Sequence, residues 1–268
     1  MTAPRLPILI AGAGAMGGSL IAGWRRGGTM SAADMIIVDP EPGEEALSAR
    51  DGGAQLNPAE AELARANLVL LAVKPQIWRT VAAVIAPHLA PQAAIVSVAA
   101  GVRAVDLTEA FGGRSVAQVM PSLAAAIGQG SAAVWSADPA LKWDVQVLFT
   151  PLGVVTALTR EDELHVATAA GGSAPAYLYA FVEALEGAAV EAGLAPAAAA
   201  SLVRATITGA AALLRESGEE PAALRARVTS PGGTTAAALK ALGAKPGLSG
   251  LMKKTVAAAV ARSKELGE

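Results

Sequence analysis

The chain has 268 residues, 53% of them hydrophobic and only 16% charged, which allows one large or two medium domains around a buried core and excludes a disordered chain. A formal net charge of −2, with no basic stripe interleaved with aromatics, lacks the electrostatic footprint of a nucleic-acid binder. With no cysteine and only His88 and His165 for histidines, a disulfide framework, a thiolate nucleophile and a metal centre are all set aside.

At the N-terminus, MTAPRLPILIAGAGAMG reaches its glycines too early for the apolar core of a secretory leader. Two uncharged stretches, 81–100 and 116–135, have the length of a membrane span. Pro87 and Pro91 interrupt the first, and Pro121, Gly128 and Gly130 the second, so the expectation is a cytoplasmic protein without membrane contact.

In chain order, LPILIAG (6–12), MIIVD (35–39), LVLLAV (68–73) and AIVSVAAG (94–101) are continuous apolar runs with β-branched residues, as expected of parallel strands covered on both faces. Helix-like segments at 16–26, 43–50, 58–66 and 76–88 alternate with them, with Pro58 and Pro75 near helix starts. RSVAQVM (114–120) and GVVTAL (153–158) add two further strands. This alternation predicts a doubly wound, Rossmann-type α/β domain over residues 1–159.

From residue 160 the β-like runs stop, and 174–192, 196–216, 221–228, 233–242 and 248–266 each read as helix. ATITGAAALL (205–214) is apolar around most of its circumference and has to be covered. The expectation is an all-α dimerisation domain over 160–268, the alternative being packing of these helices within the chain.

The first strand runs into Gly12-Ala13-Gly14-Ala15-Met16-Gly17, a GxGxxG opening a helix. Gly12 allows the tight turn, Gly14 the approach of a pyrophosphate and Gly17 close helix–strand packing, while the helix start offers free N–H groups. Asp39 ends the second strand, where a carboxylate accepts hydrogen bonds from ribose hydroxyls and repels a 2′-phosphate; Glu41 adds to that repulsion. The cofactor is thus NADPH or NADH, with the local charge leaning to NADH. Asp39 could instead only cap the Asp-Pro turn, and Arg25 or Arg26 could fold over a phosphate. The ends of the later strands, Ala72-Val73-Lys74-Pro75 and Ala99-Ala100-Gly101, belong beside the cofactor, with Lys74 either a contact or a solvated loop residue.

In the helical half, SPGGTTAAAL places Pro231, Gly232 and Gly233 just before Thr234 and Thr235 open a helix. Such a segment is either an ordinary cap or a cradle where a small carboxylate meets bare backbone and a threonine hydroxyl. VTSPGGTTAAALKAL resembles the signature of the Δ1-pyrroline-5-carboxylate reductases, and AVKPQ (72–76), VAAGV (98–102), VMP (119–121), GGSAPAYLYAFVEAL (171–185) and LLRESGEEPAALRARVTSPGGTT (213–235) are similar to blocks of that family. The resemblance spans nearly the whole chain. It implies NAD(P)H-dependent reduction of a cyclic imino acid to proline by dimers that interlock through their C-terminal helices and often assemble into decamers. It implies that the substrate carboxylate meets Gly232, Gly233, Thr234 and Thr235, and that Thr168 stands near the substrate nitrogen. Because a cyclic imine enters already protonated, orientation and exclusion of water carry the reaction; His165 is a weaker candidate acid.

The chain departs from the family pattern at Ala15, where asparagine is usual, and at Ser122-Leu123-Ala124, where Asn-Thr-Pro is usual. Gln118 stands in place of an arginine and Gly171 in place of a serine. These departures leave open a related cyclic imine as substrate. A β-hydroxyacid-type dehydrogenase would need a catalytic lysine, and none of Lys240, Lys245, Lys253, Lys254 and Lys264 lies in a Gly-rich helix start. A non-catalytic dinucleotide sensor is the remaining alternative.

Overall fold

The structure, a computed structural model, describes residues 5–267. Eight strands form one sheet: β1 (Ile8–Ala11), β2 (Met35–Val38), β3 (Gln55–Leu56), β4 (Leu68–Leu71), β5 (Ala94–Ser97), β6 (Val116–Pro121), β7 (Gly130–Ser136) and β8 (Gly153–Ala157), in the order β3-β2-β1-β4-β5-β6-β7-β8. β1 to β6 run parallel, β7 is antiparallel to β6, and β8 is parallel to β7. The order reverses at β1, between β2 and β4, which opens the crevice where doubly wound sheets bind ligands.

Alternate residues of β1 feed two cores, one on each sheet face. Ile8 and Ile10 pack with Leu20, Ile21 and Trp24 of α1 (Ala15–Arg26) and with Leu148 and Phe149 of α5 (Pro139–Phe149). Trp24 donates its Nε1–H to the Leu148 carbonyl at 2.9 Å and meets Phe149 edge-on at 5.7 Å, so its polar end is satisfied inside the core. On the other face Leu9 and Ala11 join Trp78, Ala82 and Ile85 of α3 (Trp78–Ile85) and Leu107 of α4 (Ala104–Ala110). α2 (Glu44–Asp51) adds Ala46 and Ala49 to the first core.

The expected strands all form. β7 and the two-residue β3 were not expected, nor were α4, α5 and α6 (Glu163–Ala167). β7 is GSAAVWS, mostly small residues in which buried positions alternate with half-buried or exposed ones, and it gives little apolar signal. The helix expected over 58–66 is a 3-10 turn, Glu60–Arg65, and that over 76–88 is α3 followed by a 3-10 turn, Ala86–His88.

After α6 a five-residue π-helical turn, Thr168–Gly172, leads into α7 (Ala174–Glu191), α8 (Pro196–Ser217), α9 (Pro221–Arg227), α10 (Thr234–Leu242) and α11 (Gly247–Glu265). The chain forms two compact units. The first runs through Gly172 and takes up the chain again from Ala259; the second is Ser173–Ala258. This differs from a division at 159/160. Leu164 and Ala169 are buried, which draws α6 and the π-helical turn into the sheet unit, and the final turns of α11 belong to that unit as well.

In the second unit α8 is long and apolar enough to cross a bilayer by length and composition, yet only 11% of that stretch is buried within the chain. Leu202, Leu213 and Leu214 of α8 and Leu178, Tyr179 and Phe181 of α7 are exposed in the single chain.

Candidate active site

The fingerprint loop follows β1 directly. Gly12 has φ +96°, and a Cβ there would fall 2.7 Å from the Ala72 carbonyl oxygen. At Gly17 a Cβ would fall 2.1 Å from the Gly12 carbonyl oxygen, so α1 reaches the strand only because position 17 is bare. Gly14 is different: a Cβ there meets nothing within 4 Å, and the residue is exposed, leaving open space where a ligand can reach the backbone. Gly14 N-caps α1 without a side-chain hydrogen bond, so the first-turn amides of Ala15, Met16 and Gly17 lack a side-chain cap at the positive end of a 12-residue helix. Ala13 is buried, and its N–H is already used, donated to Asp39 Oδ2 at 2.5 Å.

Asp39 ties together the loops after β1 and β2. Its Oδ1 accepts the Glu41 N–H at 2.8 Å, so each carboxylate oxygen holds one backbone amide and keeps a lone pair for a further donor. Asn57 braces the same residue: its Oδ1 accepts the Asp39 N–H at 2.9 Å and its Nδ2 donates to the Asp39 carbonyl at 2.8 Å. Asn57 has φ +47°, which asparagine tolerates better than most side chains. It escaped the sequence reading, its one signal being an asparagine ahead of Pro58. Beside this knot lies a groove of about 410 Å³, with Gly14, Ala15 and Ser19 on one wall and Glu41, Glu44 and Glu45 on the other. Arg25 is bonded to Ser48 Oγ at 3.0 Å.

Ala72 donates its N–H to the Ala11 carbonyl at 2.8 Å, and its own carbonyl backs Gly12. Val73 also presses on Gly12, Pro75 is half-buried, and Lys74 is exposed. After β5, Ala99 is buried and Ala100 half-buried, and Gly101 turns with φ +81°.

A second cavity, of about 270 Å³, opens at the carboxyl ends of β5 and β6. Ala99 and Gly101 line it together with Gln118, His165, Thr168 and Ser263, so Thr168 and the loop after β5 share one chamber. The Thr168 hydroxyl donates to the Leu164 carbonyl at 2.8 Å, which leaves its oxygen lone pairs free. Thr168 stands where α6 gives way to the π-helical turn, a distortion that often marks functional positions. Gln118 is 7% exposed; its Nε2 donates to the Val102 carbonyl, and its Oε1 is buried with no partner among the described residues. Glu161 accepts the Ala104 N–H at 2.7 Å. At Gly171 a Cβ would meet only Ser131 Oγ at 3.6 Å, an ordinary contact, so the backbone there does not demand a glycine for lack of room.

The SPGGTT segment lies in the second unit. Gly232 has φ +70°, and Gly233 N-caps α10 without any side-chain hydrogen bond. The Gly233 N–H turns back to the Ser230 carbonyl at 3.1 Å. An ordinary serine or threonine cap would satisfy one first-turn amide of α10, and at Gly233 there is no side chain to do so.

Residues 161–266 match the family described as pyrroline-5-carboxylate reductase dimerisation, and 7–101 match that described as NADP oxidoreductase coenzyme F420-dependent. The pyrroline-5-carboxylate reductase of Pseudomonas aeruginosa is 36% identical over 273 residues, covering 100% of this chain and 98% of that protein. The chain belongs to the pyrroline-5-carboxylate reductase family. The Pisum sativum reductase is 34% identical over 257 residues, 95% of this chain and 94% of that one. Among solved structures, the Coxiella burnetii reductase superposes with a TM-score of 0.88 at 27% identity, covering 98% of this chain and 99% of that one. The Plasmodium falciparum pyrroline carboxylate reductase with NADP bound gives 0.85 at 26% identity, covering 100% of each. As a member of this family the chain is an oxidoreductase that uses a nicotinamide dinucleotide, and it carries the family's dimerisation region.

Proposed function

We propose that this chain reduces Δ1-pyrroline-5-carboxylate to L-proline with NADH as the preferred donor. The observation that carries the reading is the chamber in which Thr168 faces the Ala99–Gly101 loop, in a chain that matches reductases of this name from end to end. The fingerprint groove fits a dinucleotide: bare backbone at Gly14, uncapped amides at the start of α1, and Asp39 beyond them. When bound, the nicotinamide supplies a hydride to the imine carbon; the C=N π pair moves to nitrogen, and the iminium proton stays there as the amine N–H.

The chain's own residues do the rest. Gly232, Gly233, Thr234 and Thr235 hold the substrate carboxylate on the uncapped amides of α10, with the Thr235 hydroxyl as a further donor. Thr168 presents oxygen lone pairs to the N–H of the iminium, which orients the ring for attack on one face. His165 is engaged with Ser263 and is not needed as an acid, because the substrate brings its own proton. Preference for NADH rests on Asp39 and on the wall formed by Glu41, Glu44 and Glu45, which repels a 2′-phosphate. Self-association through the C-terminal helices, as a dimer that assembles further into a decamer, belongs to the same reading.

The test is the oxidation of NADH and of NADPH followed at 340 nm with the cyclic imino acid and, separately, with a 2-keto acid. Turnover with the imino acid, faster with NADH, is expected. Absence of turnover with either cofactor would overturn the assignment, and a higher kcat/KM with NADPH would overturn the preference.

A further inference from the structure

The chamber has one wall that the reaction does not use. Ser263, in the last turns of α11, is only 3% exposed, and its Oγ shares a hydrogen bond of 3.0 Å with Nδ1 of His165 in α6, 98 positions away in sequence. A second contact lies beside it. A Cβ at Gly101 would stand 2.6 Å from the Ser263 carbonyl oxygen and 2.9 Å from the Gly267 nitrogen; a Cβ at Gly267 would stand 2.0 Å from the Gly101 carbonyl oxygen. Two backbones therefore meet with no side chain between them, at the loop that follows β5.

The end of α11 thus grips two walls of the chamber at once. One grip is on α6, where Thr168 follows His165 by three residues and so lies one turn on, on a neighbouring part of the same helical surface. The other is on the loop assigned to the cofactor. Among the described residues Thr168 and Gly101 share no hydrogen bond, and Ser263 contacts the neighbourhood of both.

We infer that Ser263 is a positioning residue: acting through His165 it sets where Thr168 stands, and with Gly267 it seats Gly101 in the loop assigned to the cofactor. This rests on the reductase reading, which supplies the roles of Thr168 and of the loop. A serine that only fills space would contribute to stability and leave turnover alone. One that positions Thr168 acts on kcat, since a displacement of about 1 Å at a reacting group costs on the order of 100-fold.

The experiment compares wild type with Ser263→Ala, His165→Ala and the double variant, and then with His165→Asn and His165→Gln. The asparagine amide reaches the position of Nδ1 and can keep the bond to Ser263, whereas the glutamine amide reaches the position of Nε2 and cannot. kcat and both KM values are measured at fixed pH beside a thermal melt. Expected are kcat losses of roughly tenfold in each alanine variant with the KM for NADH within about twofold of wild type. The double variant should be no slower than the slower single, because both remove one interaction. His165→Asn should recover much of the rate and His165→Gln should not. Wild-type kcat in Ser263→Ala, or losses that multiply in the double, overturns the inference. Should the alanine variants fail to fold, equal kcat in His165→Asn and His165→Gln overturns it.

If wild type itself does not turn over the imino acid, the reductase reading fails, and the emission of bound NADH without imino acid decides the inference. A changed emission spectrum in Gly267→Ala, whose added Cβ would press on the Gly101 carbonyl, supports it, and an identical spectrum overturns it.

Discussion

Asp39 is a structural buckle between the loops after β1 and β2, and in the proposed reading the same carboxylate is also a selectivity element. Its two oxygens hold the Ala13 and Glu41 amides, so the side chain is fixed before any ligand arrives, and each oxygen keeps a lone pair that the proposed reading gives to a ribose hydroxyl. The two sequence readings of this residue, ribose acceptor and turn cap, are therefore compatible. Because Asp39 anchors backbone, selectivity is better moved through its neighbour. Replacing Glu41 by Arg should keep both Asp39 bonds, since only the Glu41 backbone takes part, while turning a repelling wall into a phosphate partner. The ratio of kcat/KM for NADPH over NADH should rise by roughly 10- to 100-fold, measured with the imino acid saturating; an unchanged ratio would move the adenosine ribose away from this wall. At the other end of the proposed reaction, Thr235→Ala should raise KM for the imino acid by about 1–3 kcal/mol, roughly 5- to 150-fold, with kcat changed much less. The place of Asp39 directly after β2 was legible because it closes an apolar run at a fixed offset from the fingerprint, whereas Thr168 was singled out only through the family resemblance. Asn57, and the bond between His165 and Ser263, were not legible, because the residues they join are 18 and 98 positions apart and no local pattern records them.

At the scale of elements, the fingerprint glycines divide by what surrounds them. Gly17 is bare because α1 packs on the loop after β1; Gly14 is bare with nothing near it. Gly17→Ala should therefore strain the fold, costing about 1–3 kcal/mol and lowering Tm by several degrees. Gly14→Ala should melt like wild type and bind NADH more weakly, which calorimetry and titration can separate. A second element-level device joins α3 to α4. Asp106 accepts two hydrogen bonds from Arg103, at 2.7 and 3.0 Å, with Arg79 3.5 Å away. The Arg103 hydrogen bond, helped by the charge of Arg103 and Arg79, outweighs desolvation and lowers the Asp106 pKa. A carboxylate with a lowered folded-state pKa stabilises the fold above its unfolded-state value and loses that contribution as pH falls through the folded-state value. Asp106→Asn should cost about 0.5–1 kcal/mol at neutral pH, and the gap to wild type should close below about pH 4 in urea titrations. The parallel strands were legible because both of their faces are buried and their apolar runs are continuous. β7 and α5 were not: β7 is built of small residues, and the charges and Pro139 of α5 leave a mixed pattern that only packing on Trp24 resolves.

At the scale of the molecule, the chain leaves uncovered what its composition requires to be covered. α8 carries Leu202 61% exposed and Leu213 49% exposed, on a helix whose mean hydropathy is that of a membrane span. The family's dimerisation region covers this helix, so the occupant the comparisons support is a second copy. In an isologous interface each substitution is present twice, so its cost to association doubles. Burying a leucine contributes about 1.5–3 kcal/mol, and placing a carboxylate in its stead adds a desolvation penalty. Leu202→Glu combined with Leu213→Glu should therefore dissociate the protein at micromolar concentration in light scattering. Neither side chain is buried within one chain, so the sheet unit should still bind NADH. Val105→Glu is the control: this side chain is 62% exposed on α4 of the first unit, and the change should leave the mass as it was. A wild-type mass from the α8 variant would mean that the greasy face of α8 is not what holds the copies together. If dissociation also abolishes turnover while NADH binding persists, the second unit's contribution to catalysis requires the assembled protein.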